Sequence, residues 1–71
     1  FSTLRHSYII ELKYLPSKAT DREAKTAKEQ AVEQLNKYIA DTNIQSLSAG
    51  TQLHGIYLIF QQGNATEIGE I

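Results

Sequence analysis

Apolar and polar residues are arranged along 7–15, S-Y-I-I-E-L-K-Y-L, as a strand would arrange them. Successive side chains on a strand point to opposite faces, so Tyr8, Ile10, Leu12 and Tyr14 share one face. Ser7, Ile9, Glu11, Lys13 and Leu15 share the other. The run is rich in Tyr and Ile and stops at Pro16, which supports the strand. Apolar residues on both faces predict a strand covered on both sides, with Glu11 and Lys13 as the exceptions. A second run, 53–61, reads L-H-G-I-Y-L-I-F-Q. Ile56, Leu58 and Phe60 face one way and Tyr57 and Ile59 the other, which predicts another two-sided strand.

Between the two runs the period changes. Thr20-Asp21-Arg22-Glu23 matches a capping box, in which the Thr20 hydroxyl accepts from the Glu23 amide and the Glu23 carboxylate reaches back to the Thr20 amide. A helix over 20–41 follows, with Ala24, Ala27, Ala31, Leu35 and Tyr38 as its apolar stripe, widened by Val32 and Ile39. Asp21 with Lys25, and Glu33 with Lys37, place an acid four residues before a base on the exposed side. Residues 42–52 are polar, contain Gly50 and read as a loop. Gly63-Asn64 signals a turn, and 66–71, within the tail 62–71, reads as a short edge strand.

Strand, helix, strand predicts an α/β fold built on a parallel βαβ unit with a right-handed crossover. One helix covers one face of such a sheet. The other apolar face therefore predicts half of a larger α/β domain, packed on its missing half, or a protomer completed by self-association.

Composition narrows the function. The chain has 71 residues, 41% hydrophobic and 21% charged, which fits one small globular domain. It has no cysteine, which excludes a disulfide-stapled module, a zinc finger and a thiol nucleophile. Its net charge of −1 supplies no basic field for nucleic acid or for an acidic membrane. Apolar runs are too short for a membrane span, no signal peptide is recognised, and the expected location is cytoplasmic. The chain has no methionine and starts at Phe1, so we expect a piece of a longer protein.

The candidate chemistry centres on Glu11-Leu12-Lys13. Glu11 and Lys13 are two apart on a strand and project to one side. By themselves they read first as a plain ion pair or a strand-rim pair, since E-x-K is short and common; their place near the carboxyl end of an apolar βαβ strand adds the reading of a functional site. On the helix, Gln34 and Tyr38 are four apart and share a face. The plain reading makes Tyr38 a core residue and Gln34 a surface amide. His6 and His54 each stand at the start of a strand, where parallel pairing brings them near one another, and the sequence alone reads them as strand-end surface histidines rather than as a metal site.

Taken together, S-Y-I-I-E-L-K-Y-L, the helix with E-A-K-T-A-K-E-Q-A-V-E-Q-L-N-K-Y, and H-G-I-Y-L-I-F resemble the C-terminal part of the PD-(D/E)xK nuclease superfamily. The closer likeness is to the nuclease-like domain that follows an AAA-ATPase-like domain in bacterial proteins, many of them from the Bacteroidetes. The resemblance covers roughly 7–61. It implies a restriction-endonuclease-like core in which 7–15 is the third strand, 20–41 the second helix and 53–61 the fourth strand. It also implies that Glu11 is an acidic metal ligand, that the Leu12 carbonyl is a further ligand, and that Lys13 positions or activates the attacking water. Gln34 and Tyr38 resemble the Q-x-x-x-Y element that borders the active site in a RecB-like subgroup. The implied cofactor is magnesium, the implied partner nucleic acid, and the implied reaction phosphodiester hydrolysis.

One departure matters. The superfamily places a second acid on the preceding strand, and Phe1-Ser2-Thr3-Leu4-Arg5-His6 contains no carboxylate. No G-x-x-x-x-G-K-[ST] motif is present either. The expectation is therefore a C-terminal fragment, inactive by itself, of a magnesium-dependent nuclease domain. The alternative is a degenerate nuclease-fold module used for protein interaction or assembly.

Overall fold

A computed structural model describes residues 5–71, so the first four residues of the expected single domain 1–71 lie outside the described part. Strand β1 spans Arg5–Leu15, helix α1 Asp21–Ala40, helix α2 Thr42–Leu47, strand β2 Thr51–Gln61 and strand β3 Asn64–Glu70. The sheet order is β1-β2-β3. β1 and β2 are parallel, from Arg5 opposite Thr51 to Leu15 opposite Gln61, as the βαβ reading expects. β3 adds antiparallel to β2.

α1 starts where the capping box puts it. The Thr20 hydroxyl accepts from the Glu23 N–H at 3.2 Å, and the Thr20 N–H donates to Glu23 Oε1 at 3.5 Å. The helix ends at Ala40 because Asp41 leaves helical geometry (φ −70°, ψ 127°). Asp41 then caps α2, its carboxylate accepting from the N–H groups of Asn43 and Ile44 at 2.8 and 3.2 Å. The expected loop 42–52 is therefore mostly this short helix and the start of β2. An aspartate before a polar run was a cap signal inside a segment that looked like a loop throughout.

The hairpin turn also sits one residue earlier than Gly63-Asn64. Gln61 pairs with Asn64, and the two residues between them both have positive φ, 55° at Gln62 and 77° at Gly63. That is the pattern of a two-residue type I′ turn. Gln62 is an L-residue held in left-handed geometry, which glycine or asparagine tolerates better. Gln62→Asn is expected to stabilise the fold by about 0.5–1 kcal/mol. The check is a urea titration, read as a higher midpoint at unchanged slope.

The core lies under α1. Ala31, Leu35, Tyr57 and Ile59 are buried together, with Ile9, Leu15 and Val32 packed around them. The small alanines of α1 let its backbone sit close to the sheet. Gly69 of β3 has a related role. The Tyr57 ring lies where its Cβ would be, so glycine there admits the aromatic side chain.

The other face of the sheet is bare. Tyr8, Ile10, Leu12 and Tyr14 of β1 are 58, 53, 44 and 73% exposed, and Ile68 of β3 is 66% exposed. Among the described residues β1 is thus covered on one side only, as a single helix allows, and its second apolar side is left open. Among the described residues α1 is the one helix that packs on β1 and β2, and it lies on the face of Ile9 and Leu15. β1 is also an edge strand, with unpaired backbone groups along its outer side.

Candidate functional site

Because Ile9 and Leu15 pack against the core beneath α1, Glu11 and Lys13 project to the same helix-covered face. Lys13 Nζ stands 3.6 Å from Glu11 Oε1, and the two side chains are 30 and 18% exposed. Across the ladder Glu11 is level with Tyr57 and Lys13 with Ile59, both buried. The pair is thus a charged notch in the carboxyl-terminal half of β1, between the core and the free sheet edge. Leu12, between them, turns its side chain to the bare face, while its carbonyl belongs to the edge strand.

The flank of α1 that carries Lys28 looks over β3, for Lys28 Nζ meets Glu67 Oε1 at 2.9 Å. Gln34 lies about 120° around the helix from Lys28, with Tyr38 next to it, on the flank towards β1. Both are half-buried. α1 returns antiparallel to β1, so element lengths place Gln34 roughly one helical turn beyond the level of Glu11, with Tyr38 a turn further. Helix periodicity puts Gln34 and Tyr38 on the flank of α1 away from Lys28, and neither is hydrogen-bonded to Glu11 or Lys13 among the described residues.

A magnesium-type ion binds hard oxygen donors and keeps several waters. Glu11 has that chemistry and sits beside a cation that favours a phosphate oxygen nearby. Among the described residues, however, no group of three His, Asp or Glu side chains converges on a common point. The notch therefore fits such an ion as one contribution to its shell, with further donors needed from elsewhere.

Two other polar clusters were not read from the sequence as units. Glu67 holds Lys28, and the Tyr57 hydroxyl also donates to Glu67 at 3.4 Å. These contacts raise the Lys28 ammonium above its ordinary 10.5, first through the hydrogen bond to Glu67 and then through Tyr57. A raised folded value means that this contribution to stability is present below 10.5 and disappears as pH climbs through the higher folded value. The second cluster joins His6, His54 and Glu70 on the bare face. The sequence pattern brought the two histidines together, but Glu70 entered through the antiparallel register of β3, which no local signal specified.

Among the described residues no helix is long and apolar enough to cross a membrane. In comparisons with known proteins, the family model described as the PD-(D/E)XK nuclease superfamily matches residues 1–70. No curated protein and no solved structure matches the chain.

Proposed function

The chain belongs to the PD-(D/E)XK nuclease superfamily, and from that premise we propose that Glu11 and Lys13 are its share of a metal-dependent phosphodiesterase centre. The observation that carries this is the pair itself, an acid and a lysine 3.6 Å apart on one face near the carboxyl end of a βαβ strand. In this reading β1 is the third core strand, α1 the second core helix and β2 the fourth strand. The Glu11 carboxylate and the Leu12 carbonyl each offer the metal an oxygen. Bound magnesium would lower the pKa of a coordinated water and offset charge on the scissile phosphate. Lys13 holds a positive charge beside the position that the phosphate or the attacking water would take. Gln34 and Tyr38 border the site from α1 and position substrate. In this reading the second acid is supplied from outside these 71 residues, since no third donor converges on Glu11 among the described residues. The substrate is DNA or RNA.

The test is cleavage of single- and double-stranded DNA and RNA with magnesium or manganese, comparing the chain alone with the full-length protein. Cleavage by the full-length protein and none by the chain is expected. Cleavage by neither favours the second reading, a nuclease fold retained for assembly. That reading is supported by the bare apolar face, which a second copy or another domain would cover.

A further inference from the structure

Three strands meet on the bare face at the end of the sheet away from Lys13. His6 is near the start of β1, His54 near the start of β2 and Glu70 at the end of β3. Glu70 Oε2 lies 3.4 Å from His54 Nδ1, and His54 Nε2 lies 2.8 Å from His6 Nδ1. A carboxylate only accepts, so Glu70 keeps the His54 proton on Nδ1 and leaves a lone pair on Nε2. With both rings neutral, the proton between them then belongs to His6 Nδ1, which donates to that lone pair. The Tyr8 ring stacks on His54 at 4.9 Å between centroids and 19° between planes, which fixes the plane of the imidazole. The His54 side chain is 14% exposed, so its orientation is set by packing as well as by hydrogen bonds.

A structural hydrogen bond between two imidazoles accounts for part of this. It does not require a carboxylate on the far nitrogen of the second ring. That is the arrangement by which proteins orient a metal-bound histidine and raise its basicity. We propose that His6 Nδ1 and His54 Nε2 form a two-imidazole site for a divalent transition-metal ion of the copper(II) or nickel(II) kind, with Glu70 orienting His54 from behind. The ion takes the place of the single proton held between the two nitrogens, and that proton moves to His6 Nε2, so that both imidazoles bind as neutral ligands.

The span selects the ion. With metal–nitrogen bonds of about 2.0–2.1 Å, neighbouring positions at a right angle put the nitrogens about 2.9 Å apart, and tetrahedral positions about 3.3 Å. The observed 2.8 Å is the length of a hydrogen bond and is also near the span of a right-angle site; with ring centroids 5.0 Å apart the imidazoles now face each other nearly end to end, so the rings together turn by roughly 30–45° each to aim both lone pairs at one ion. Water fills the remaining positions, since no third ligand converges there among the described residues. The site lies on the face opposite Glu11 and Lys13, so it stands or falls separately from the nuclease reading.

The experiment is calorimetric titration of the 71-residue chain with Cu²⁺, Ni²⁺ and Zn²⁺, with electron paramagnetic resonance of the copper complex. One ion per chain is expected, with coupling to two imidazole nitrogens and with Zn²⁺ the weakest of the three. His6→Gln and His54→Gln should each weaken Cu²⁺ and Ni²⁺ binding at least tenfold. Glu70→Gln should weaken it about tenfold while keeping both nitrogen couplings. His54 is partly buried and its replacement can disturb the sheet, whereas His6 is exposed, so His6→Gln with an unchanged circular dichroism spectrum is decisive. Unchanged Cu²⁺ and Ni²⁺ affinity in His6→Gln, or a copper spectrum with fewer than two imidazole nitrogens, overturns the assignment.

Discussion

Glu11→Gln in the full-length protein is expected to abolish magnesium-dependent cleavage while leaving the fold intact. The substitution keeps the shape of the side chain and removes the charge that a hard cation binds. Glu11 is not surrounded by other partners. Among the described residues its ion pair is with Lys13, at 3.6 Å, and both groups reach solvent in part. Little stability therefore depends on the charge. Lys13→Ala should behave differently. It removes no metal donor, so the metal concentration for half-maximal activity should stay nearly constant. The turnover rate should fall about 10²–10³-fold, because the lost charge acts on the transition state. Metal titrations of cleavage in the two variants separate these effects. Retained cleavage in Glu11→Gln would falsify the assignment of this residue to the site.

Leu35→Ala is expected to have the largest effect on stability. Leu35 is fully buried at the centre of the contact between α1 and the sheet, beside Ala31, Tyr57 and Ile59. Truncation removes apolar burial and leaves a cavity, at a cost of about 2–5 kcal/mol. A domain of 71 residues has roughly 4–11 kcal/mol in total, so the variant retains a minor part of its stability or unfolds. Neighbouring alanines cannot lengthen to fill the space. Urea denaturation followed by circular dichroism reads the change. A loss under about 1 kcal/mol would mean that α1 does not seal the core as described.

The parts of the fold with a strong local signal were legible in the sequence. Thr20 and Glu23 announced the start of α1, and the apolar residues placed β1 and β2 within two residues of their observed starts. Glu11 and Lys13 fell on one face because strand periodicity permits nothing else. The parallel pairing followed from the helix between the strands. Where the sequence reading stopped short, the deciding contacts were distant or the signal was brief. α2 rests on one capping aspartate, and six residues give too little periodicity to register. The turn at Gln62 was displaced because glutamine is not a residue one expects at positive φ. The bare face was legible as a face that one helix leaves open, but an apolar strand face shows that cover is favourable, not what provides it. Tyr8, Ile10 and Tyr14 look the same in sequence whether buried or open. Gln34 and Tyr38 were placed on one helix face correctly, but their relation to Glu11 depends on how α1 lies across β1, which periodicity does not encode.

The mixed pairing of β2 also orders the assembly of the domain in time. β2 and β3 are joined by two residues, so their hairpin can close within about 1–10 μs. β1 reaches β2 only after the chain from Leu15 to Thr51, with both helices, has come back on itself. The entropy of closing that long loop is lost before any β1–β2 bond forms, which makes this ladder the slow step. Glu11 gains its place beside Tyr57 only in that step. A folding chain can therefore hold the hairpin and a partly formed α1 while Glu11 and Lys13 still lack their seat beside Tyr57 and Ile59, so the charged notch belongs to the completed domain alone.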